Sequence, residues 1–487
     1  MVIRRSASPD VNWLIFEDTK MSPFFGMWKK VLPSFLFALL VASSSAFGQE
    51  EAIKANTLAA NNAWMLVCCA LVLFMTAPGL AMFYGGLVRK KNVLSVMMQC
   101  LFLMGLMTVV WALYGYSLAF GGDGKWIGNG EYLLMNNVSR TWDETANAPH
   151  TPMFDEDLQL TTLTHMLFQG MFFIITPALI CGAFAERMKF SAMALFLVLW
   201  GTLVYCPLCH WVWDGGILGF VPTGETGNGI AGGALDFAGG TVVHISSGVS
   251  ALVCALVLGG RLGKKTDDMR PHNLTYTAIG AGMLWVGWFG FNAGSELASD
   301  DLTPSAFAVT HFSAAAGAVA WALIEWLARG KPSVLGAASG AVAGLVCITP
   351  AAGFVNPMPA LAMGAAAGVV CYFACSTVKS TFGYDDSLDA FGVHGVGGTL
   401  GALLTGVFAT RACWNIDNGN KLGLIEGETR VMVGQIVACV VTWVFVAVAT
   451  LILLKIVDMV VGLRASKDNE IRGLDISDHG EEGYISY

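Results

Sequence analysis

The sequence predicts an all-α polytopic membrane protein with eleven transmembrane helices, arranged as two inverted five-helix repeats plus an eleventh helix. Three observations predict it. Hydrophobic residues make up 55% of the chain and charged residues only 13%, about half the ~25% charge of a soluble domain, and mean hydropathy is +0.62. Apolar runs long enough to cross a bilayer recur along the chain. Lys and Arg gather in alternate loops between those runs.

Composition also excludes. The net charge is −8 and no basic stripe is present, so no nucleic-acid partner is indicated. The 12 cysteines are scattered, mostly inside apolar runs, which argues against a disulfide framework. No nucleophile–base set or nucleotide loop is visible, so enzymatic activity has no support, and no cofactor is implied.

Residues 1–20 are mixed and polar. From Met27 the chain runs through Lys29 and Lys30, an apolar stretch at 31–42, and then Ser43-Ser-Ser-Ala-Phe-Gly-Gln49. This is the n-region, short h-region and small-residue cleavage zone of a signal peptide; Met21 and Met27 are alternative starts. The expected division is an N-terminal extension with signal peptide at 1–48, a membrane domain at 49–463 and a C-terminal tail at 464–487.

The eleven runs lie at about 61–86, 92–120, 159–184, 190–212, 234–260, 274–296, 304–328, 333–350, 359–378, 389–408 and 431–463. Small residues from Gly336 to Gly344 suit close helix packing. Arg89, Lys90 and Lys91 follow the first run, Arg187 and Lys189 the third, Arg261, Lys264, Lys265 and Arg270 the fifth, Arg329 and Lys331 the seventh, and Lys379 the ninth. These loops share one side, the cytoplasm, with the N-terminus outside and the tail inside. Runs one to five and six to ten form two groups of five, and an odd number inverts the second group. Inverted repeats place a substrate path at their interface, near the midplane.

Within this frame one stretch stands out, Asp236-Phe-Ala-Gly-Gly-Thr-Val-Val-His244. A second, Asp389-Ala-Phe-Gly-Val-His394, opens the tenth run with an acid and a histidine again. Ionisable residues inside a span are costly and mark functional sites. His244 and His394 occupy corresponding positions of the two repeats, so pseudo-symmetry brings them face to face. Neutral imidazole carries one donor and one acceptor, and two rings can share a proton between them. Two imidazoles lack the further ligands zinc needs, so no metal site is expected. Asp236 sits at the N-cap position of its helix, where its carboxylate accepts amide bonds from the first turn; it is expected to be structural, holding the pore mouth.

Tyr84-Gly-Gly-Leu, Asn92-Val-Leu-Ser, Tyr114-Gly-Tyr-Ser-Leu-Ala-Phe, Phe168-Gln-Gly, Ala185-Glu-Arg, the Asp236–His244 stretch, Gly287-Trp-Phe-Gly-Phe-Asn-Ala-Gly-Ser and Phe391-Gly-Val-His-Gly resemble the ammonium transporter (Amt/Mep/Rh) family, on its bacterial Amt branch. The resemblance runs from about residue 62 to the C-terminus. It implies an N-out, C-in protomer in a bacterial inner membrane, a homotrimer among membrane lipid, and one pore per protomer for ammonium or ammonia. His244 and His394 match the family's twin pore histidines. Phe172, Trp213 and Ser295 match its outer ammonium-recruitment site, where aromatic faces attract a cation and a hydroxyl accepts a hydrogen bond from it. Phe291 matches the second phenylalanine of the gate, and Trp288, Phe83 and Tyr84 match residues lining the pore and its inner mouth. The polar tail resembles that of Amt proteins regulated by a PII-type signalling protein at the cytoplasmic face. A sensor that binds ammonium and signals through its tail is the alternative; a gas or water channel of Rh type would want fewer cation-recruiting residues outside.

Two features depart from the family pattern. A glycine-rich segment at 217–233 is longer than usual and is expected to bear on Trp213, and the acidic loop at 121–158 is enlarged. Cys206-Pro-Leu-Cys209-His210 fits the C-x-x-C-H haem-attachment motif, but it lies in a packed apolar helix, where inert thiols are the expected reading.

Overall fold

The computed structural model describes residues 25–484, with side-chain surroundings from Glu51 onward. Of the expected 1–48 extension with its signal peptide, residues 1–24 lie outside the described residues, and 25–48 are described only as the start of a helix, Phe25–Phe74.

Ten helices among the described residues are long and apolar enough to cross a membrane: α1 Glu51–Leu87, α2 Lys90–Phe120, α3 Thr162–Phe184, α4 Phe190–Trp213, α5 Gly240–Leu258, α7 Leu302–Arg329, α8 Val334–Ala351, α9 Pro357–Phe382, α10 Phe391–Phe408 and α11 Arg430–Val461. The sixth expected run forms α6, Leu274–Ala293. It is less apolar than the others because Gly, Tyr, Trp and Asn dilute its Leu, Ile and Val content. Its 20 residues reach about 30 Å at 1.5 Å per residue.

The helices pack through small residues. α7, α8 and α9 form one tight group. Gly340 lies against the backbone of Gly317, Gly344 against Ser313, and Gly364 and Gly368 against the same two α7 residues. α5 crosses α10 with equal closeness: a Cβ on Gly248 would overlap the Gly395 backbone, and one on Gly398 would stand 2.9 Å from the His244 Cβ. That crossing brings the two histidine-bearing turns together. Both turns are wound as π-helix, at Gly240–Ile245 and Phe391–Gly395, a feature common at functional positions inside helices.

The loops expected on one side do converge on one face. Glu186 after α3 binds Arg89 after α1 at 2.9 Å and Arg261 after α5 at 3.3 Å. Arg261 reaches Asp385 after α9 at 3.1 Å, and Arg187 donates to the Asp385 carbonyl at 2.5 Å. Burial would raise Asp385, but the Arg261 hydrogen bonds and charge outweigh it and hold the carboxyl down at about 2. The tail packs on this face over its described length. A short helix, α12 Lys467–Arg472, is followed by a turn at Asp475–His479. Lys91 donates to the Glu470 and Ile471 carbonyls at 2.8 and 2.7 Å, and the Ser95 amide donates to Asp475 at 2.7 Å.

On the opposite face the 121–161 loop carries two short hairpins, β1 Thr141–Asp143 with β2 Ala148–His150 and β3 Met153–Asp155 with β4 Leu160–Thr161. The 217–233 segment folds back on itself, with Val221 N donating to Gly232 O at 3.0 Å. Asp417 fastens it to the 410–430 loop, accepting from Thr223 Oγ1 at 2.8 Å and from Arg430 at 2.7 Å.

Candidate functional site

Three cavities follow one another through the fold. The outermost is lined by Gln169, Phe172, Trp213, Phe237, Ser295 and Leu297, so all three residues expected at an outer recruitment site fall in one place. Trp213 stands edge-on to Phe172, ring centroids 5.8 Å apart, and its indole donates to the Asp236 carbonyl at 2.9 Å. The long 217–233 segment is fastened to the 410–430 loop through Asp417, and Trp213 lines the cavity. The Ser295 hydroxyl donates to the Phe291 carbonyl at 2.8 Å, which leaves its lone pairs free to accept. Gln169 adds a second acceptor: its Oε1 is buried without a hydrogen-bond partner. The Phe168-Gln-Gly motif was the available signal for it.

Below the outer cavity Phe172 and Phe291 stack with centroids 4.2 Å apart and both are buried. They close the way to a second, apolar cavity lined by Phe83, Tyr84, Trp288, Phe291, His244 and His394 among others. The histidine rings lie 5.3 Å apart, centroid to centroid, with Nδ1 facing Nδ1 at 3.3 Å.

The contacts of Thr349 of α8 favour one direction of donation. Its hydroxyl donates to the Leu345 carbonyl at 2.8 Å and accepts the Trp288 indole N–H at 2.9 Å. Its proton is thereby used, so at the 3.3 Å contact with His244 Nε2 the imidazole is the donor. A neutral His244 protonated on Nε2 has a bare Nδ1. His394 then donates its Nδ1–H across the pair, and its own Nε2 is the bare nitrogen. The arrangement is a directed chain of donors, Trp288 and His244 into Thr349 and His394 into His244. Sequence reasoning missed Thr349, a hydroxyl at the end of an apolar run.

Past His394 lies the third and widest cavity, which shares Phe83, Tyr84, Val342 and His394 with the second and adds Arg261, Lys379, Ser387 and Asp389. Tyr84 is pinned by its hydroxyl to the Leu179 carbonyl at 3.0 Å.

Asp236 is buried and saturated. Its carboxylate accepts from the amides of Gly239, Gly240 and Thr241 at 2.8, 2.6 and 2.8 Å, and from the Thr241 hydroxyl. Gly239 makes this cap possible with φ +112, a conformation that favours glycine. The acid with the matching interval is Asp386, eight residues before His394 as Asp236 is before His244. Asp386 accepts the Phe391 amide at 2.7 Å. Asp389, which the sequence suggested at this mouth, instead pairs with Lys379 at 2.7 Å. Burial, with the neighbouring Asp389 charge, pushes the Asp386 carboxyl up to about 6 against the pull of Lys379.

The C-x-x-C-H stretch is packed in α4. His210 Nδ1 lies 3.2 Å from the Ala119 carbonyl and 3.0 Å from Asp214, Nε2 faces the Gly124 carbonyl, and both cysteines are buried. No group of three or more His, Cys, Asp or Glu able to hold a metal occurs among the described residues.

The model of the Ammonium Transporter Family matches residues 63–484. The chain is 46% identical over 419 residues to an ammonium transporter of Bacillus subtilis, covering 85% of this chain and 96% of the relative. The crystal structure of Saccharomyces cerevisiae Mep2 superimposes with a TM-score of 0.73 at 33% identity, covering 84% of this chain and 88% of that one. A structure described as a Sensor Amt Protein superimposes with a TM-score of 0.75 over 87% of this chain and 99% of that one; at 24% identity it is alike in fold.

Proposed function

We propose that this chain, which belongs to the ammonium transporter family and so to a family of membrane transporters, recruits NH4+ at Phe172, Trp213 and Ser295 and passes NH3 through the apolar cavity beneath. The cation–π faces and the Ser295 lone pairs hold the cation, and Gln169 Oε1 is a further acceptor there. The two stacked phenylalanines exclude the charged form, because an ion in an apolar, water-poor passage is penalised far more than a neutral molecule. NH3 then meets the histidine pair, whose neutral rings carry no fixed charge and leave the bare Nε2 of His394 as an acceptor, and leaves past Phe83 and Tyr84 to be reprotonated. Asp236 acts by holding the mouth of α5.

The observation that carries this reading is the imidazole pair at 3.3 Å in an apolar cavity between an aromatic gate and an open vestibule. The test is current in reconstituted membranes under an ammonium gradient and then under a potassium gradient, for wild type, His244→Ala and His394→Ala. Both variants should fold and should lose flux or admit potassium. Wild-type rate and selectivity in both would make the histidines structural only, and ammonium binding without current in the wild type would favour the sensor reading.

The same proposal takes α6 as the eleventh span of an inverted-repeat protomer. The clustering of the Arg89, Arg187, Arg261 and Lys379 loops on one face supports the N-out, C-in orientation. The proposal further has the protein in the inner membrane as a homotrimer, with the tail-covered face meeting a PII-type partner.

A further inference from the structure

We propose that the turn Leu133–Met135 of the 121–161 loop enters the leaflet nearest it and anchors the loop in lipid, so that the loop is held by the membrane as well as by the helices.

The argument starts from the path of the chain. After α2 ends at Phe120 the loop turns back and descends along the helix it has just left. Gly128 N donates to the Leu118 carbonyl at 2.8 Å, and the Ser117 hydroxyl donates to Asn129 O at 2.8 Å and accepts from Tyr132 N at 3.0 Å. Tyr132 stacks on Tyr116 with centroids 5.0 Å apart. The Leu133–Met135 turn then packs against Trp111–Gly115. It therefore sits five or more residues below the end of α2, a descent of about 8 Å.

Depth follows from length. α2 has 31 residues, about 46 Å of helix, against a hydrocarbon core of about 30 Å. Its ends protrude, and the level of residues 111–115 falls near the boundary between hydrocarbon and headgroups. Tyr114 and Tyr132, both partly exposed, lie at that level, as aromatic residues do at the boundary.

At this level the turn presents its apolar side chains outward. Leu134 is 66% exposed, and Leu133 and Met135 are exposed beside it. Leu134 and Met135 both hold positive φ, 56° and 62°, a left-handed conformation that costs branched and long side chains energy and calls for compensation. Leu134, the most exposed of the three, finds little of it inside the protomer. The exposed face continues the apolar surface of α2, where Leu113, Val109 and Leu101 are also exposed. Earlier in its course the loop rests on α4: Trp211 donates to the Trp126 carbonyl at 2.7 Å, and the Trp211 ring in turn contacts Phe445 of α11. Those helices expose Leu203, Val440 and Val444 in turn. The occupant that meets a turn continuous with such surfaces is lipid.

The test uses the full chain in vesicles, with a nitroxide label on Leu134→Cys, on Met135→Cys and on Glu144→Cys, the last being an exposed position in the hairpin of the same loop. The unsubstituted chain carries only half-buried Cys375 and Cys413 besides buried thiols among the described residues, and its labelling gives the background. Collision with oxygen, which concentrates in lipid, is compared with collision with a water-soluble nickel chelate. Oxygen should dominate at 134 and 135 and the chelate at 144. Chelate dominance at 134 and 135 would overturn the proposal. Protection from both agents there would overturn it equally, by showing that a second copy of the chain covers the turn. Should either cysteine variant fail to fold, the other still decides.

Discussion

Replacing Thr349 with Val is the sharpest probe of the histidine chain. The two side chains match in shape, so the cavity keeps its volume and only the hydroxyl goes. Three hydrogen bonds go with it, to Leu345 O, Trp288 Nε1 and His244 Nε2. The indole N–H of Trp288 has no other acceptor to turn to and stays buried and unpaired, a penalty of about 1–3 kcal/mol. His244 can escape by moving its proton to Nδ1, but this reverses the direction of the bond to His394. The tautomer bias set by one neutral hydrogen bond is about 0.5–1.5 kcal/mol, a factor of about 2–12 in population. Ammonium-driven current should therefore fall by up to about tenfold, with only modest loss of thermal stability in detergent. Thr349→Ser, which restores the hydroxyl, should recover most of the current. A valine variant that conducts as the wild type would refute the derivation, and a variant whose loss serine fails to rescue would place the effect in packing.

At the outer cavity, Ser295→Ala and Trp213→Leu should raise the ammonium concentration for half-maximal flux more than they lower the maximum, since a cation–π contact contributes about 0.5–2 kcal/mol; unchanged half-saturation in both counts against the assigned vestibule. Asp386 predicts a pH dependence: with its carboxyl at about 6 rather than 3.8, ionisation costs the folded state about 3 kcal/mol, so its contribution is most favourable below about pH 4 and is lost as pH rises through about 6. Asp386→Asn keeps an acceptor for the Phe391 amide and should abolish that slope in melts across pH 4–7; a slope equal to wild type would show that the carboxyl stays ionised. A PII-type protein of the host should co-purify with the chain under nitrogen-replete conditions and lower its conductance, and pull-downs that recover none would dismiss the partner.

Most spans were legible because a bilayer demands long apolar runs, and those runs are the most redundant signal in the chain. α6 was legible by position, although Trp285, Trp288, Tyr276 and Asn292 leave it the least apolar. The histidines were legible because an ionisable side chain inside such a run is rare, and their meeting followed from the inverted count. Thr349 was not. A hydroxyl in a helix usually spends its proton on the carbonyl four residues back, and Thr349 does so to Leu345. Its two other bonds exist only once α8 has packed against α5 and α6, and no local pattern encodes that meeting. Gln169 lay within a quoted motif, but its lone acceptor role is a property of the cavity.

The second acid shows how proximity misleads where spacing informs. Asp389 is the acid nearest the tenth run, yet it holds φ +61 and turns to Lys379. The eight-residue interval from Asp236 to His244 selects Asp386 before His394, and the fold uses it as a cap on Phe391. The two caps are alike in position and unlike in chemistry. Asp236 has both oxygens engaged by the first turn of α5, so it has little left to offer a passing cation. Asp386 keeps Oδ1 without a hydrogen-bond partner and lies beside the Lys379–Asp389 pair. The two histidine-bearing helices thus have mouths built on one plan. At the Asp236 mouth both carboxylate oxygens are taken by hydrogen bonds, and at the Asp386 mouth burial, with the Asp389 charge, raises the carboxyl above its ordinary range.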